Sequence, residues 1–234
     1  MTATYTNSAS IETRIVHIPA YGASLTGELV MPPNPKGLVI FAHGSGRSSV
    51  RNRRIAAALQ HGGFGTLLFD LMTPEEELID AVTRHLRFDV GFLARRLIDT
   101  IDFTSQQPKA ALPLGLFGVS SGAAAALVAS VARHERIAAV VARGGRPDLA
   151  AAVLPRITAP TLLVVGGNDT DSIPLNETAF RRMTCHKELV LVDGATHRFD
   201  EPGALDEVAR LTVGWFTRYL APVPAEPEPV DEIC

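Results

Sequence analysis

A serine between two glycines is the residue of this sequence that most directly suggests chemistry. Ser120 is central in the stretch GVSSG, which follows an apolar run and precedes an alanine-rich run. A strand that turns abruptly into a helix here would hold Ser120 in a strained conformation, and the flanking glycines would avoid collisions with neighbouring elements. Its hydroxyl would then lie at the positive end of the helix, where an oxyanion is stabilised. The pattern predicts a nucleophilic serine, and close packing of the glycines without catalysis is the alternative.

A serine hydroxyl is a weak nucleophile until a base takes its proton, and His197 is placed for that role. It follows a predicted strand ending at Val192, through the loop Asp193-Gly194-Ala195-Thr196. Ligands of parallel sheets bind at the carboxyl ends of the strands, where this loop begins. The other histidines, apart from His43, are predicted in the first hairpin, in or beside helices, or at the opposite sheet edge.

A carboxylate must orient the imidazole of His197 and stabilise its protonated form. Asp169 follows another predicted strand, in the stretch GGND, and is expected at the same sheet edge as Ser120. Asp171 is the alternative, and Asp169 is favoured because it lies closer to the strand end and the glycines permit a sharp turn. Asp193 is closer to His197 in sequence but is expected to cap its own loop.

Three further polar residues are candidates for substrate binding. His43 ends a predicted strand and begins the stretch HGSG, whose small residues let backbone N–H groups approach a ligand; we assign it a structural role in that loop. Arg143 and Arg146 follow the strand after the serine, and a guanidinium there could bind a substrate carboxylate through two parallel hydrogen bonds. An ion pair that holds the loop, for example with Asp148, is the alternative.

The elements that must position these residues follow from the pattern of apolar runs. Two alternating segments, Glu12–Ile18 and Ser24–Met31, flank a Tyr21-Gly22 turn signal and predict an antiparallel hairpin. Apolar runs then alternate with helical patterns, which predicts a mostly parallel α/β sheet with helices on both faces. The predicted strands are Leu38–His43, Thr66–Leu71, Leu112–Val119, Ile137–Val141, Thr161–Val165 and Glu188–Val192. The predicted helices lie near Arg53–His61, Phe88–Phe103, Ala123–Arg133, Leu175–Met183 and Ala204–Leu220, and the acidic run after Pro74 predicts a further helix start.

Composition limits the classes of function. The 234 residues are 46% hydrophobic and 20% charged, as in globular chains, and we expect one domain over residues 11–220 with a flexible N-terminus (1–10) and a disordered Pro/Glu-rich tail (221–234). A net charge of −3 provides no basic field for nucleic acid. The uncharged stretch Ala110–Ala132 is interrupted by Pro and Gly, so no membrane span is predicted.

The sequence also gives no indication of a cofactor. The sequence has no Gly-rich phosphate loop and no clustered His and Cys ligands, so neither a cofactor nor a metal is expected. Cys185 and Cys234 are too few for a disulfide framework, and no secretory signal is visible, which favours a cytoplasmic location.

The sequence resembles the α/β-hydrolase superfamily and, within it, the dienelactone-hydrolase-like family over residues 12–220. The motifs that carry the resemblance are HGSG, RNRRIA, LLFDLMTPEEE, GVSSG, RGGRPDLA, VGGND and GATHRF, together with the order Ser, Asp, His along the chain. The resemblance implies an α/β-hydrolase fold, a triad of Ser120, Asp169 and His197, and an oxyanion hole formed by the backbone N–H groups of Ser45 and Ser121. Authentic dienelactone hydrolases typically carry Cys where this chain has Ser120.

The expected function is metal-independent hydrolysis of small carboxylic esters or lactones through an acyl-enzyme. Thioesters and amides are alternative substrates because they share the tetrahedral intermediate, and a non-catalytic protein that binds small carboxylates is a further alternative. In this fold a lid is usually inserted in the segment that here spans Ala142–Pro160, which has room for one short helix. We therefore expect an open cleft and no large lid domain, whereas the oligomeric state stays open.

Overall fold

The computed structural model describes residues 11–43 and 49–220, and regular elements make up most of this part of the chain. Its strands are β1 (Glu12–Ala20), β2 (Ala23–Met31), β3 (Leu38–Ala42), β4 (Gly65–Phe69), β5 (Leu114–Val119), β6 (Ile137–Arg143), β7 (Thr161–Gly166) and β8 (Lys187–Val192). Its α-helices are α1 (Val50–His61), α2 (Pro74–Thr83), α3 (Val90–Thr104), α4 (Ser121–Ala132), α5 (Ser172–Arg182) and α6 (Ala204–Tyr219).

The eight strands form one sheet in the order β1-β2-β4-β3-β5-β6-β7-β8. The predicted N-terminal hairpin is confirmed, since β1 and β2 pair antiparallel from Glu12↔Met31 to Ala20↔Ala23. Strand β2 also pairs antiparallel with β4, and all remaining pairs are parallel. The sheet is therefore mostly parallel, with its antiparallel part at one edge.

Helices cover both faces of the sheet, which is why its central strands are continuous apolar runs. All five residues of β3 and of β4 are buried. On one face, α3, α4 and α5 contribute Leu97, Leu127 and Ala179 to a core cluster; on the other, α1 and α6 contribute Leu59 and Phe216 to a second cluster. The predicted α/β-hydrolase architecture is confirmed.

Helix α2 is better defined than the sequence pattern suggested. Thr73 and Glu76 form a reciprocal capping box, and Pro74 occupies the first helical turn. The buried guanidinium of Arg96 in α3 donates to both carboxylate oxygens of Glu76 and to the carbonyl of Leu71. These contacts fix the segment that leaves β4.

The segment between β6 and β7 forms two short 3-10 helices, Pro147–Ala150 and Leu154–Arg156, rather than the single short helix expected. The expectation that no large lid domain is inserted there is confirmed. The termini 1–10 and 221–234, for which flexibility and disorder are predicted, lie outside the described residues. Within residues 11–43 and 49–220, none of the helices has both the length and the apolar character needed to cross a bilayer.

Candidate active site

Ser120 occupies the sharp turn between β5 and α4. Its backbone has φ 54° and ψ −125°, a conformation that costs a residue with a side chain free energy and persists only when the surroundings impose it. Two hydrogen bonds to the segment at the end of β6 hold it there: Ser120 N–H donates to the carbonyl of Arg143 (3.4 Å), and Arg146 N–H donates to the carbonyl of Ser120 (3.2 Å). The turn therefore presents Ser120 at the carboxyl edge of the sheet.

The glycines that flank this turn are required by close backbone contacts. A Cβ atom at Gly118 would lie 2.5 Å from Cα of Ala123, and one at Gly122 would lie 2.2 Å from the carbonyl oxygen of Ala42 in β3. Both distances are shorter than any Cβ contact that a folded protein tolerates without movement. The predicted reason for glycine on each side of the serine agrees with these contacts.

His197 and Asp169 form a hydrogen-bonded pair at the same edge. His197 Nδ1 lies 2.8 Å from Asp169 Oδ2, with the aspartate side chain buried and the imidazole 49% exposed. The backbone N–H of Ser172 donates to the other oxygen, Oδ1, at 3.3 Å. Burial raises the pKa of the Asp169 carboxyl, but hydrogen bonds from Ser172 and His197 outweigh this effect and leave the pKa below its ordinary value. Asp169 is therefore an anion at neutral pH.

The alternative aspartates do not contact the imidazole. Asp171 is the N-cap residue of α5, and Asp193 directly follows β8. Ser172, in contrast, was not singled out from the sequence, although it lies three residues after Asp169, where an aspartate side chain can accept from a backbone N–H. Its hydroxyl also lies 3.5 Å from His197 Nδ1.

The two loops that carry the pair are bonded directly to each other. Gly167 N–H donates to the carbonyl of Val192 (2.7 Å), and Asn168 N–H donates to the carbonyl of Ala195 (2.8 Å). The side-chain amide of Asn168 adds a bond to the carbonyl of Gly194 (3.1 Å). Gly166 permits this approach, since a Cβ there would lie 2.4 Å from the carbonyl oxygen of Ala195.

Ser120 and His197 share this edge without a hydrogen bond between them. Gly144, at the end of β6, lies beside the histidine, and a Cβ built on it would be 3.7 Å from His197 Cε1. Among the described residues, the hydroxyl of Ser120 has no hydrogen-bond partner. Catalytic hydrogen bonds are often long in enzymes without substrate and shorten in the substrate complex.

One of the two predicted oxyanion donors is described. Ser121 is the first residue of α4, so its backbone N–H has no intrahelical acceptor. This N–H lies at the positive end of the helix dipole. Ser45, the other predicted donor, lies outside the described residues.

His43 is buried and is not suited to act as a base. Burial, followed by the positive charge of Arg143, lowers its pKa to about 4. Its Nδ1 lies 3.3 Å from Asp70 Oδ1, within ion-pair range, yet neither ring nitrogen makes a hydrogen bond. Because burial keeps His43 neutral at pH 7, its contact with Asp70 is a weak one.

The structure separates the two candidate arginines. Arg146 donates two parallel hydrogen bonds to Asp148 (2.9 and 2.8 Å), and this pairing raises its pKa. Arg143 makes no such pair: it is 6% exposed, and its Nε and Nη1 have no hydrogen-bond partner. The ion pair with Asp148 considered for this loop is therefore made by Arg146 alone. The ring of Phe199 lies 5.4 Å from the Arg143 guanidinium.

No cation site is formed by acidic, histidine or cysteine side chains in the part of the chain that the structure describes.

Comparison with known proteins places the chain in a family. The model of the dienelactone hydrolase family matches residues 25–215. The chain belongs to the dienelactone hydrolase family. The crystal structure of a dienelactone hydrolase from Anabaena variabilis ATCC 29413 is 48% identical, with a TM-score of 0.87, and the match covers 90% of this chain and 99% of that one. Membership of the family supports a hydrolase.

Two curated relatives in the same comparison come from Mycobacterium tuberculosis strains CDC 1551 and H37Rv. Each is 48% identical over 208 residues and has a provisional name as a phosphoribosyl transferase. The match covers 88% of this chain but 46% of each relative, so the chain spans about half the length of these proteins.

A more distant solved structure resembles this chain in fold alone. It is a dienelactone hydrolase-like promiscuous phosphotriesterase, P91, from metagenomic libraries, at 19% identity and a TM-score of 0.73. The match covers 91% of this chain and all of that one.

Proposed function

We propose that this dienelactone hydrolase family member cleaves small carboxylic esters or lactones through a covalent acyl-serine. The observation that carries the proposal is a strained serine at the sheet edge that also holds a hydrogen-bonded Asp–His pair. Such a strained turn raises the free energy of the folded state. A requirement to expose the serine hydroxyl explains why the strain is kept.

In the proposed reaction, Ser120 Oγ attacks the ester carbonyl carbon while His197 Nε2 takes the hydroxyl proton. The carbonyl π electrons move to oxygen, and the N–H of Ser121 at the start of α4 stabilises the resulting oxyanion. The intermediate then collapses with cleavage of the bond to the leaving oxygen, which receives the proton from His197. Water attacks the acyl-serine by the same steps and releases the acid.

Asp169 contributes by fixing one tautomer of the imidazole. Its carboxylate accepts a hydrogen bond from Nδ1–H of His197, and this tautomer leaves Nε2 unprotonated and able to act as the base. Because its pKa lies below the ordinary value, Asp169 stays negative and also stabilises the imidazolium that forms during attack.

The test is hydrolysis of a short-chain p-nitrophenyl ester combined with labelling by a fluorophosphonate probe. We expect turnover and a single labelled serine, both abolished in Ser120→Ala. Ser105→Ala, at the exposed end of α3, is the matched control and should retain both. Hydrolysis and labelling that survive in Ser120→Ala would show that another residue is the nucleophile.

A substrate panel separates the remaining possibilities. Esters, lactones, thioesters and amides share the tetrahedral intermediate, so relative kcat/KM values across the four classes identify the preferred leaving group. Binding of a small carboxylate without turnover of any class would instead indicate a non-catalytic member of the family. The transferase name of the mycobacterial relatives is not carried over, since this chain matches only about half of each.

A further inference from the structure

A cavity of about 380 Å³ lies next to the nucleophile turn, between the start of α1 and the end of β6. This volume lies within the range of small-molecule sites in proteins. Its lining includes Val119, the residue before Ser120, together with His43, Ser49, Arg51, Asn52 and Arg143. A ligand group in this cavity would therefore lie beside a substrate bound at Ser120.

Arg143 is the feature of this cavity that points to a ligand. Its guanidinium is buried, and two of its three nitrogens have no hydrogen-bond partner, although buried charges in proteins are ordinarily paired. Among the described residues, the ring of Phe199 lies 5.4 Å from this guanidinium, and its attraction to a cation is small compared with the loss of water. An anion in the cavity would supply the missing acceptors.

The start of α1 adds a second source of positive potential to the cavity that Arg143 lines. Helix α1 has twelve residues, no acidic side chain in its first turn, and an N-cap residue, Ser49, whose hydroxyl makes no capping bond. Its first N–H groups are therefore available to an anion, in the manner common for phosphate sites at helix N-termini. Arg51, in that first turn, also lines the cavity.

Asp200 and Asp70 are the acidic side chains that oppose this potential among the described residues, and Asp70 Oδ1 lies 3.3 Å from Nδ1 of the cavity residue His43. Asp200, which is 50% exposed, pairs with Arg51 at 2.7 Å and also with Arg198 at 2.9 Å. His43 is neutral and adds no charge at pH 7. Two guanidinium groups and a helix N-terminus thus face these carboxylates, and because Asp200 is shared between Arg51 and Arg198, the site still favours an anion beside the buried Arg143.

We propose that this cavity is a phosphate-binding subsite, and that the substrate is an ester carrying a phosphate group held by Arg143, Arg51 and the start of α1. The part that concerns the substrate rests on the proposed hydrolase function. A phosphate group has three oxygens to share among these donors, whereas a planar carboxylate has two and satisfies one guanidinium.

Binding is tested first without any catalysis, by calorimetric titration of inorganic phosphate into the full-length Ser120→Ala protein. Arg143→Met should weaken phosphate binding by about tenfold to a hundredfold, the usual effect of losing charge-assisted hydrogen bonds. Arg156→Gln removes the same charge from an exposed position before β7 and should leave the dissociation constant unchanged. Equal affinity in Arg143→Met and the unsubstituted protein would overturn the subsite.

A second variant keeps the test valid if Arg143→Met fails to fold. Asp200→Asn removes the acid that competes for Arg51 and should tighten phosphate binding several-fold. A purely structural role for the Arg51–Asp200 pair predicts no change or weaker binding, and either result would contradict the proposal. Acetate that binds more tightly than phosphate would also overturn it, in favour of a carboxylate subsite.

Activity measurements separate this proposal from the proposed function. We expect a higher kcat/KM for a phosphorylated ester than for its unphosphorylated counterpart, with inorganic phosphate competing only against the former. Arg143-dependent phosphate binding without ester hydrolysis would refute the hydrolase but leave the subsite. Ester hydrolysis without phosphate binding would refute the subsite but leave the hydrolase.

Discussion

Replacing the buried Arg143 with methionine should make the protein more resistant to unfolding. Burial, followed by the charge of Arg51, lowers the pKa of Arg143 to about 10, which corresponds to about 3 kcal/mol of cost for the charged form in the folded state. At pH 7 the guanidinium is charged in both the folded and the unfolded chain, so this cost is fully present. It disappears only when the pH rises above the pKa values of both states.

Methionine fills a similar volume without a charge, so the substitution should recover part of that cost. The contact with Phe199 is lost, and we expect a net gain of about 1–3 kcal/mol in the free energy of unfolding. For a chain of this length, that gain raises Tm by about 2–12 °C. Phosphate should narrow or reverse this difference: at about 100 times the Kd of the unsubstituted protein it stabilises that protein by about 2.7 kcal/mol, whereas the tenfold to hundredfold weaker binding expected of Arg143→Met gives about 0.4–1.4 kcal/mol.

The assay is urea and thermal unfolding at pH 7, with and without phosphate, followed by circular dichroism. Arg156→Gln serves as the control for loss of one positive charge and should change stability by less than about 0.5 kcal/mol. A correctly folded Arg143→Met that is less stable by about 1 kcal/mol or more would refute the reasoning. That result would mean that the guanidinium stabilises the fold without a bound anion.

Three further substitutions test the site and its supports. Gly122→Ala places a methyl group against the carbonyl of Ala42 and should cost about 1–3 kcal/mol in urea unfolding, with loss of ester hydrolysis; unchanged stability would contradict the close contact. Asp169→Asn should lower kcat by about 10⁴-fold at pH 7 while substrate binding persists, whereas a loss below tenfold would exclude the orienting role. Glu76→Gln leaves the buried Arg96 without its anion and should cost about 3–5 kcal/mol. Burial raises the pKa of Glu76, but hydrogen bonds from Arg96 and Thr73 outweigh this effect and leave the pKa below its ordinary value. The contribution of Glu76 to the free energy of unfolding should therefore be lost as the pH falls through that pKa. Unfolding measured over a series of acidic pH values should show this loss only in the unsubstituted protein.

The sequence was sufficient for the parts of the site that depend on local rules. A strand, a serine between glycines and a small-residue helix define the turn at Ser120, because the steric requirement acts within a few residues. The position of Asp169 after β7 also follows from strand order, since the carboxyl ends of parallel strands share one edge. The helix beginning at Pro74 could be anticipated from its capping residues.

Contacts between distant segments could not be anticipated in the same way. Arg143 and Arg146 are three residues apart and equally basic, yet only Arg146 lies within reach of Asp148. The ring of Phe199 lies against Arg143, and the start of α1 lines the same cavity, although both are far away in sequence. The hydroxyl of Ser172 reaches the imidazole because α5 begins beside the loop after β8, and no residue pattern encodes that approach.

The bonds between the loops after β7 and β8 have a mechanical consequence. Because Gly167 and Asn168 are tied to Val192 and Ala195, the carboxylate and the imidazole ride on a single hydrogen-bonded platform. Ser120 is held by a different set of hydrogen bonds, to the segment at the end of β6. We expect small displacements of these loops to preserve the 2.8 Å contact between Asp169 and His197 and to change mainly the distance to Ser120. We therefore expect the hydrogen bond from Ser120 to His197 to form in a substrate complex through a joint shift of the two bonded loops, rather than through separate adjustments of three side chains.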